Sequence, residues 1–82
     1  MYEIEFTNKA KSQLKKLYKE IQQRIILVLE RVKIRPEKFF KKLMGDKSYR
    51  LRVGDYRVIA DINKNKLLIL ILKIGHRRSI YG

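Results

Sequence analysis

From Tyr2 to Phe6 the chain alternates, with Tyr2, Ile4 and Phe6 on one face and Glu3 and Glu5 on the other. A period of two marks a half-buried strand. The period then changes. Thr7 reads as a helix N-cap, and Ala10, Leu14, Leu17 and Ile21 follow at helical spacing among lysines 9, 11, 15, 16 and 19. A second apolar set runs through Ile25, Val28, Leu29 and Val32 to Ile34. One straight helix over 8–34 would be about 40 Å long. A domain of this size has a radius of gyration of only about 12 Å. The geometry therefore predicts a break near Tyr18 to Gln22 and a helical hairpin. Pro36 ends the helical part, because the residue before a proline avoids the helical region. Residues 37 to 46 read as a short helical turn and a loop ending near Gly45, with Phe39 or Phe40 and Leu43 plugging the core.

The remainder predicts three strands. Ser48 to Val53 alternates, and Gly54-Asp55 is a tight turn with glycine first, a type II′ signal. Tyr56 to Ile62 returns, Asn63-Lys64-Asn65 turns again, and Lys66 to Ile74 is the most apolar run of the chain. The predicted fold is α+β with the order β-α-α-β-β-β. Residues 1 to 82 form one domain, an antiparallel sheet with the helical hairpin on one face.

Alternation assigns faces to these strands. Tyr49, Leu51 and Val53 oppose Arg50 and Arg52. Tyr56, Val58 and Ala60 oppose Arg57, Ile59 and Asp61. In the third strand Leu68, Leu70, Leu72 and Ile74 are expected to face the helices, opposite Ile69, Ile71, Lys73, Gly75 and Arg77. Arg50, Arg52, Arg57, Lys73 and Arg77 are then expected together on the uncovered face. His76 points the other way, which favours a structural histidine.

Charge sharpens the picture. The 82 residues hold 21 Lys plus Arg against 8 Asp plus Glu, a net charge of +13. Such a charge opposes folding through self-repulsion, and its usual use is to hold an anion. Five of the eight arginines lie in residues 47 to 82, beside only two acids. Arginine forks onto phosphate, so an arginine-lined sheet face with a tyrosine nearby suits single-stranded RNA. The plainer reading of each arginine is a solvated surface charge; their convergence on one face is what argues for a site. The longest apolar stretch, Leu67 to Leu72, is far short of the roughly 20 residues needed to span a bilayer. Glu3 and Glu5 stand where a signal peptide would be basic. With no cysteine, disulfides and zinc sites of the usual kind are not expected. The acids are too scattered to suggest a two-metal nuclease. A cytoplasmic protein without metal or small-molecule cofactor is the expectation.

Two segments carry a family resemblance: YRLRVGDYRV, residues 49 to 58, and GHRRSIY, residues 75 to 81. In this order, at the end of a basic β-α-α-β-β-β chain, they resemble RelE-type toxins of the RelE/ParE toxin–antitoxin superfamily. The resemblance covers essentially the whole chain. It implies a ribosome-dependent mRNA endonuclease that cuts A-site codons by metal-free attack of the ribose 2′-OH. Position by position, it implies that Arg50 and Arg52 are basic residues of the active face. Arg57 would hold the scissile phosphate, Arg77 would lie near the leaving oxygen, and Tyr81 would stack on or orient the reacting nucleotide. Lys73, Arg78 and Lys47 are the accompanying candidates for RNA contact. A separate antitoxin, the ribosome and mRNA are the implied partners.

One departure bears on chemistry. Relatives often carry lysine where this chain has Arg50 and Arg52. Arginine keeps its proton, so proton transfer would fall to Tyr81 or His76, or the enzyme would be slow. Two other readings stay open: a ParE-like inhibitor of DNA gyrase, which shares the fold without the basic and tyrosine set, and an RNA-binding module without catalysis.

Overall fold

The computed structural model describes residues 1–43, 45, 47–76 and 78. Strand β1 (Glu3–Phe6) leads into helix α1 (Asn8–Lys15) and helix α2 (Lys19–Val32). A 3-10 turn (Pro36–Lys38) follows, then β2 (Lys41–Lys42), β3 (Tyr49–Val53), β4 (Tyr56–Asn63) and β5 (Leu68–His76). The strands form one sheet in the order β1-β5-β4-β3-β2.

The helical hairpin forms as expected and breaks slightly earlier, at Lys16–Tyr18. The Thr7 hydroxyl caps α1 by accepting from Ala10 N at 3.1 Å. At the other end, Gln22 reaches back from α2 and donates through Nε2 to Leu17 O at 2.7 Å. That side chain satisfies a carbonyl left without a helical partner, and it does so with neither glycine nor proline in the turn. The radius of gyration is 11.8 Å, which a single 27-residue helix would have prevented.

The sheet corrects three expectations. First, it is mixed. β1 lies parallel to β5, with Ile4 opposite Ile69 and Phe6 opposite Ile71, and the other pairs are antiparallel. The α1–α2 crossover carries the chain away before it re-enters beside β1, and nothing in β1's alternation reports that direction. Second, residues 37 to 46 are not simply a helical turn and loop. They contain β2, which pairs with β3 through Lys41 opposite Arg50. Third, β5 begins at Leu68 and continues to His76, and its faces are not those of strict alternation.

The reason is a bulge. Ile59 pairs with Lys73 but Ala60 pairs with Ile71, so Leu72 is an extra residue in β5. An inserted residue breaks the period of two. Ile69, Ile71 and Ile74 all face the helices and are at most 1% exposed. Leu68 and Leu70 therefore lie on the uncovered face, the reverse of the expectation, while Lys73 lies where it was expected. The extra residue exposes backbone groups to misplacement, and the helical layer supplies their partners. Leu72 O accepts from the Thr7 hydroxyl at 3.1 Å, and Ile74 N donates to Gln13 Oε1 at 2.8 Å. Thr7 thus caps a helix and holds the bulge with one hydroxyl.

Between helices and sheet lies the core. Ala10, Ile25, Leu29 and Val32 come from the helices, and Leu51, Val53, Val58 and Ala60 from the hairpin. Burying each large aliphatic side chain contributes roughly 1.5–3 kcal/mol. Of the expected plugs, Phe40 is buried while Phe39 is half exposed. The β3–β4 turn is as expected: Gly54 has φ +60°, and Asp55 does not share a positive φ, which is the type II′ pattern.

Candidate nucleic-acid interface

Residues directly opposite in neighbouring strands share a face. Lys41, Arg50, Ile59 and Lys73 form one row across β2, β3, β4 and β5 on the uncovered face. Arg52, Arg57 and Gly75 form the next row. Four of the expected basic residues, Arg50, Arg52, Arg57 and Lys73, are thereby brought together, and Lys41 joins them. Ile59 is buried within its row, outside the main core, and gives the basic side chains an apolar floor. Gly75 presents no side chain beside Arg57.

Phe39, Lys41, Arg50, Arg52 and Arg57 line a cleft of about 150 Å³. Arg52 stands directly opposite Arg57, and Lys41 directly opposite Arg50. Like charges placed so oppose sheet formation. Among the described residues no carboxylate lies within ion-pair distance of Lys41, Arg50 or Arg52. The fold therefore holds concentrated positive charge that an anion would relieve, a common arrangement at phosphate sites.

The same face ends differently. Asp61, Leu70 and Glu5 form the row beyond the bulge, and Asn63, Leu68 and Glu3 the next. Asp61 lies four residues from Arg57 on β4, roughly 13 Å along a strand. The uncovered face is thus basic on the Lys73 side of the bulge and acidic beyond it. Among the described residues no group of three His, Cys, Asp or Glu side chains is placed to hold a metal ion.

The other predicted residues divide. Arg77 and Tyr81 lie outside the described residues. Arg78 follows β5 in an exposed turn, where its N–H donates to His76 Nδ1 at 3.3 Å. Lys47 is exposed in the β2–β3 loop and is not among the described residues lining the cleft. His76 lies opposite Tyr56 on the helix face, with ring centroids 5.5 Å apart and an interplanar angle of 78°. That edge-on contact fits the structural role expected of it. Phe39 and Lys41 are the lining residues that the sequence reading missed. No alternation could have reported them: Phe39 closes the 3-10 turn in a helical conformation, and β2 is only two residues long.

A family model of the ParE toxin of type II toxin–antitoxin systems, parDE, matches residues 4–81. The chain belongs to the RelE/ParE superfamily of toxins. The toxin is similar to the toxin–antitoxin complex RelBE2 from Mycobacterium tuberculosis, at 25% identity and a TM-score of 0.85, covering 95% of this chain and 93% of that one. It is also similar to the archaeal RelE–RelB complex from Pyrococcus horikoshii, with 30% identity, a TM-score of 0.76, and 95% and 97% of the two chains covered. The RelB–RelE antitoxin–toxin complex from Methanococcus jannaschii gives 30% identity, a TM-score of 0.74 and 95% coverage of both chains. No curated protein matches the sequence. The toxin's helices are short: among the described residues none is long and apolar enough to cross a membrane.

Proposed function

We propose that this toxin is an endoribonuclease that cuts mRNA in the ribosomal A site. The observation that carries the reading is the cleft on the uncovered sheet face where Lys41, Arg50, Arg52 and Arg57 converge. In the proposed reaction the 2′-hydroxyl loses its proton and its oxygen attacks the adjacent phosphorus. The bond from phosphorus to the 5′-oxygen breaks, and that oxygen takes up a proton. The products are a 2′,3′-cyclic phosphate and a 5′-hydroxyl. The nucleophile belongs to the RNA, so the protein's task is to hold the nucleotide in line and stabilise the charge on the phosphorane.

Arg57, half-buried and flanked by Gly75 in its row, is suited to fix the scissile phosphate. Arg50 and Arg52 supply fixed positive charge. Since His76 lies on the helix face, its position supports Tyr81 as the proton acceptor and Arg77 as the group near the leaving oxygen. A separate antitoxin with an acidic or amphipathic segment is the proposed protein partner, in keeping with the RelB-bound state of several structural relatives. Such a segment would mask the basic face and block ribosome entry.

The match to a ParE family model favours a second reading, inhibition of DNA gyrase by protein binding. Two assays on one preparation separate them. The nuclease reading expects new 5′-hydroxyl ends within mRNA on translating ribosomes and unchanged supercoiling by gyrase. Gyrase inhibition with intact mRNA would overturn it.

A further inference from the structure

We propose that Phe39 and Lys41 form a nucleotide subsite beside the arginine cleft: the Phe39 ring stacks on a base of single-stranded RNA, and Lys41 contacts the phosphate next to it. The proposal rests on the nuclease reading and adds residues that reading does not use.

The geometry is built by the segment from Pro36 to Lys42. Phe39 N and Phe40 N both donate to Pro36 O, at 3.0 and 2.8 Å, so the turn is closed against a buried proline. Phe40 is driven into the core at 4% exposure. Lys41, the next residue, opens β2 and is exposed. Pairing of Lys41 with Arg50 fixes its direction as the uncovered sheet face. Phe39 remains 51% exposed and lines the same cleft as Arg50, Arg52 and Arg57.

An exposed phenylalanine is unremarkable by itself. Here its neighbours matter. Other exposed large apolar side chains, Tyr18, Ile26 and Leu27, belong to the helical layer. Among the described residues, Phe39 lines a cleft with three arginines, Arg50, Arg52 and Arg57. An aromatic ring bordered by fixed cations is the arrangement that holds single-stranded nucleic acid, with the ring taking the base and the cations the backbone. The acids at the far end of the face, Glu3, Glu5 and Asp61, repel a polyanion. They confine the strand to the half of the sheet where Phe39 stands.

The test uses the whole toxin and a short single-stranded RNA with 2′-O-methyl riboses, which binds without being cut. The chain has no tryptophan, so the indole in Phe39→Trp reports on this position alone. Its emission should be quenched as RNA saturates the protein. Phe39→Ala should weaken binding about tenfold, the effect of losing one stacked base, with the salt dependence unchanged. Phe39→Leu should weaken it as much, because leucine keeps the apolar bulk and loses the π-face. Lys41→Gln should flatten the slope of log affinity against log salt by about 0.7, one phosphate contact on a single strand.

An unquenched indole, or full affinity in Phe39→Leu, overturns the stacking role. An unchanged slope in Lys41→Gln overturns the phosphate contact. Phe39 variants that bind RNA normally but lose the antitoxin would move the ring to a protein interface and end the proposal. Should the wild type neither bind RNA nor cut mRNA, the nuclease reading falls with it; should the wild type do both, only the subsite is at stake.

Discussion

The uncovered face of the sheet has two halves with opposite chemistry. On one side of the bulge it presents Lys41, Arg50, Arg52, Arg57 and Lys73; on the other it presents Glu3, Glu5 and Asp61. Both halves belong to one sheet. A net charge of +13 describes neither. Charge that is solvated residue by residue differs here from charge that the fold concentrates. Helix lysines such as Lys9, Lys11 and Lys15 are spread around exposed positions, where each is solvated alone. Arg52 and Arg57 are placed opposite each other at a cost to the sheet, and that cost is the mark of a site.

The bulge at Leu72 divides the halves, and the largest predicted effect tests it. Ile71→Ala should lower unfolding stability by roughly 2–5 kcal/mol, as removal of a fully buried aliphatic group does. Leu70→Ala should cost less than about 1.5 kcal/mol. Denaturant titration of the two variants decides, and strict alternation through β5 would give the opposite order. Arg57→Ala should slow codon cleavage about 10²–10³-fold, the usual effect of removing one preorganised donor to a developing oxyanion, with the unfolding midpoint little changed. The clamps on the bulge come next. Gln13→Leu leaves Ile74 N without its partner and should cost about 1–3 kcal/mol; protection of the Ile74 amide in hydrogen exchange should fall with it. Smallest is Arg52→Glu. It turns a like-charge cross-strand pair into an attractive one, so stability should rise by a few tenths of a kcal/mol while RNA affinity drops. A variant that binds RNA normally would remove Arg52 from the interface.

Much of this arrangement was legible in the chain. Alternation in β3 and β4 placed Arg50, Arg52 and Arg57 correctly, because hairpin strands joined by a Gly54-Asp55 turn keep their register. Thr7 and Pro36 marked helix boundaries by chemistry that is local. What was not legible depended on distant partners. The phase of β5 changes because Thr7 and Gln13, more than sixty residues earlier, stabilise an extra residue there. A run of leucines and isoleucines cannot reveal such a change, since either face satisfies the pattern. The parallel direction of β1 is likewise set by the crossover, and β2 is too short to show a period. Phe39 and Lys41 were hidden with it. Arg77 and Tyr81, read from the closing GHRRSIYG, lie outside the described residues, and their proposed roles rest on the resemblance.

The central claim is that the basic half of this face acts on RNA and the acidic half does not. The direct test is 5′-end mapping of mRNA on translating ribosomes with two variants compared to wild type: one with Arg50, Arg52 and Arg57 replaced by alanine, the other with Glu3, Glu5 and Asp61 replaced by alanine. The account predicts that the first loses codon cleavage and the second keeps it. Cleavage that survives in the first, or disappears only in the second while both remain folded, would contradict it.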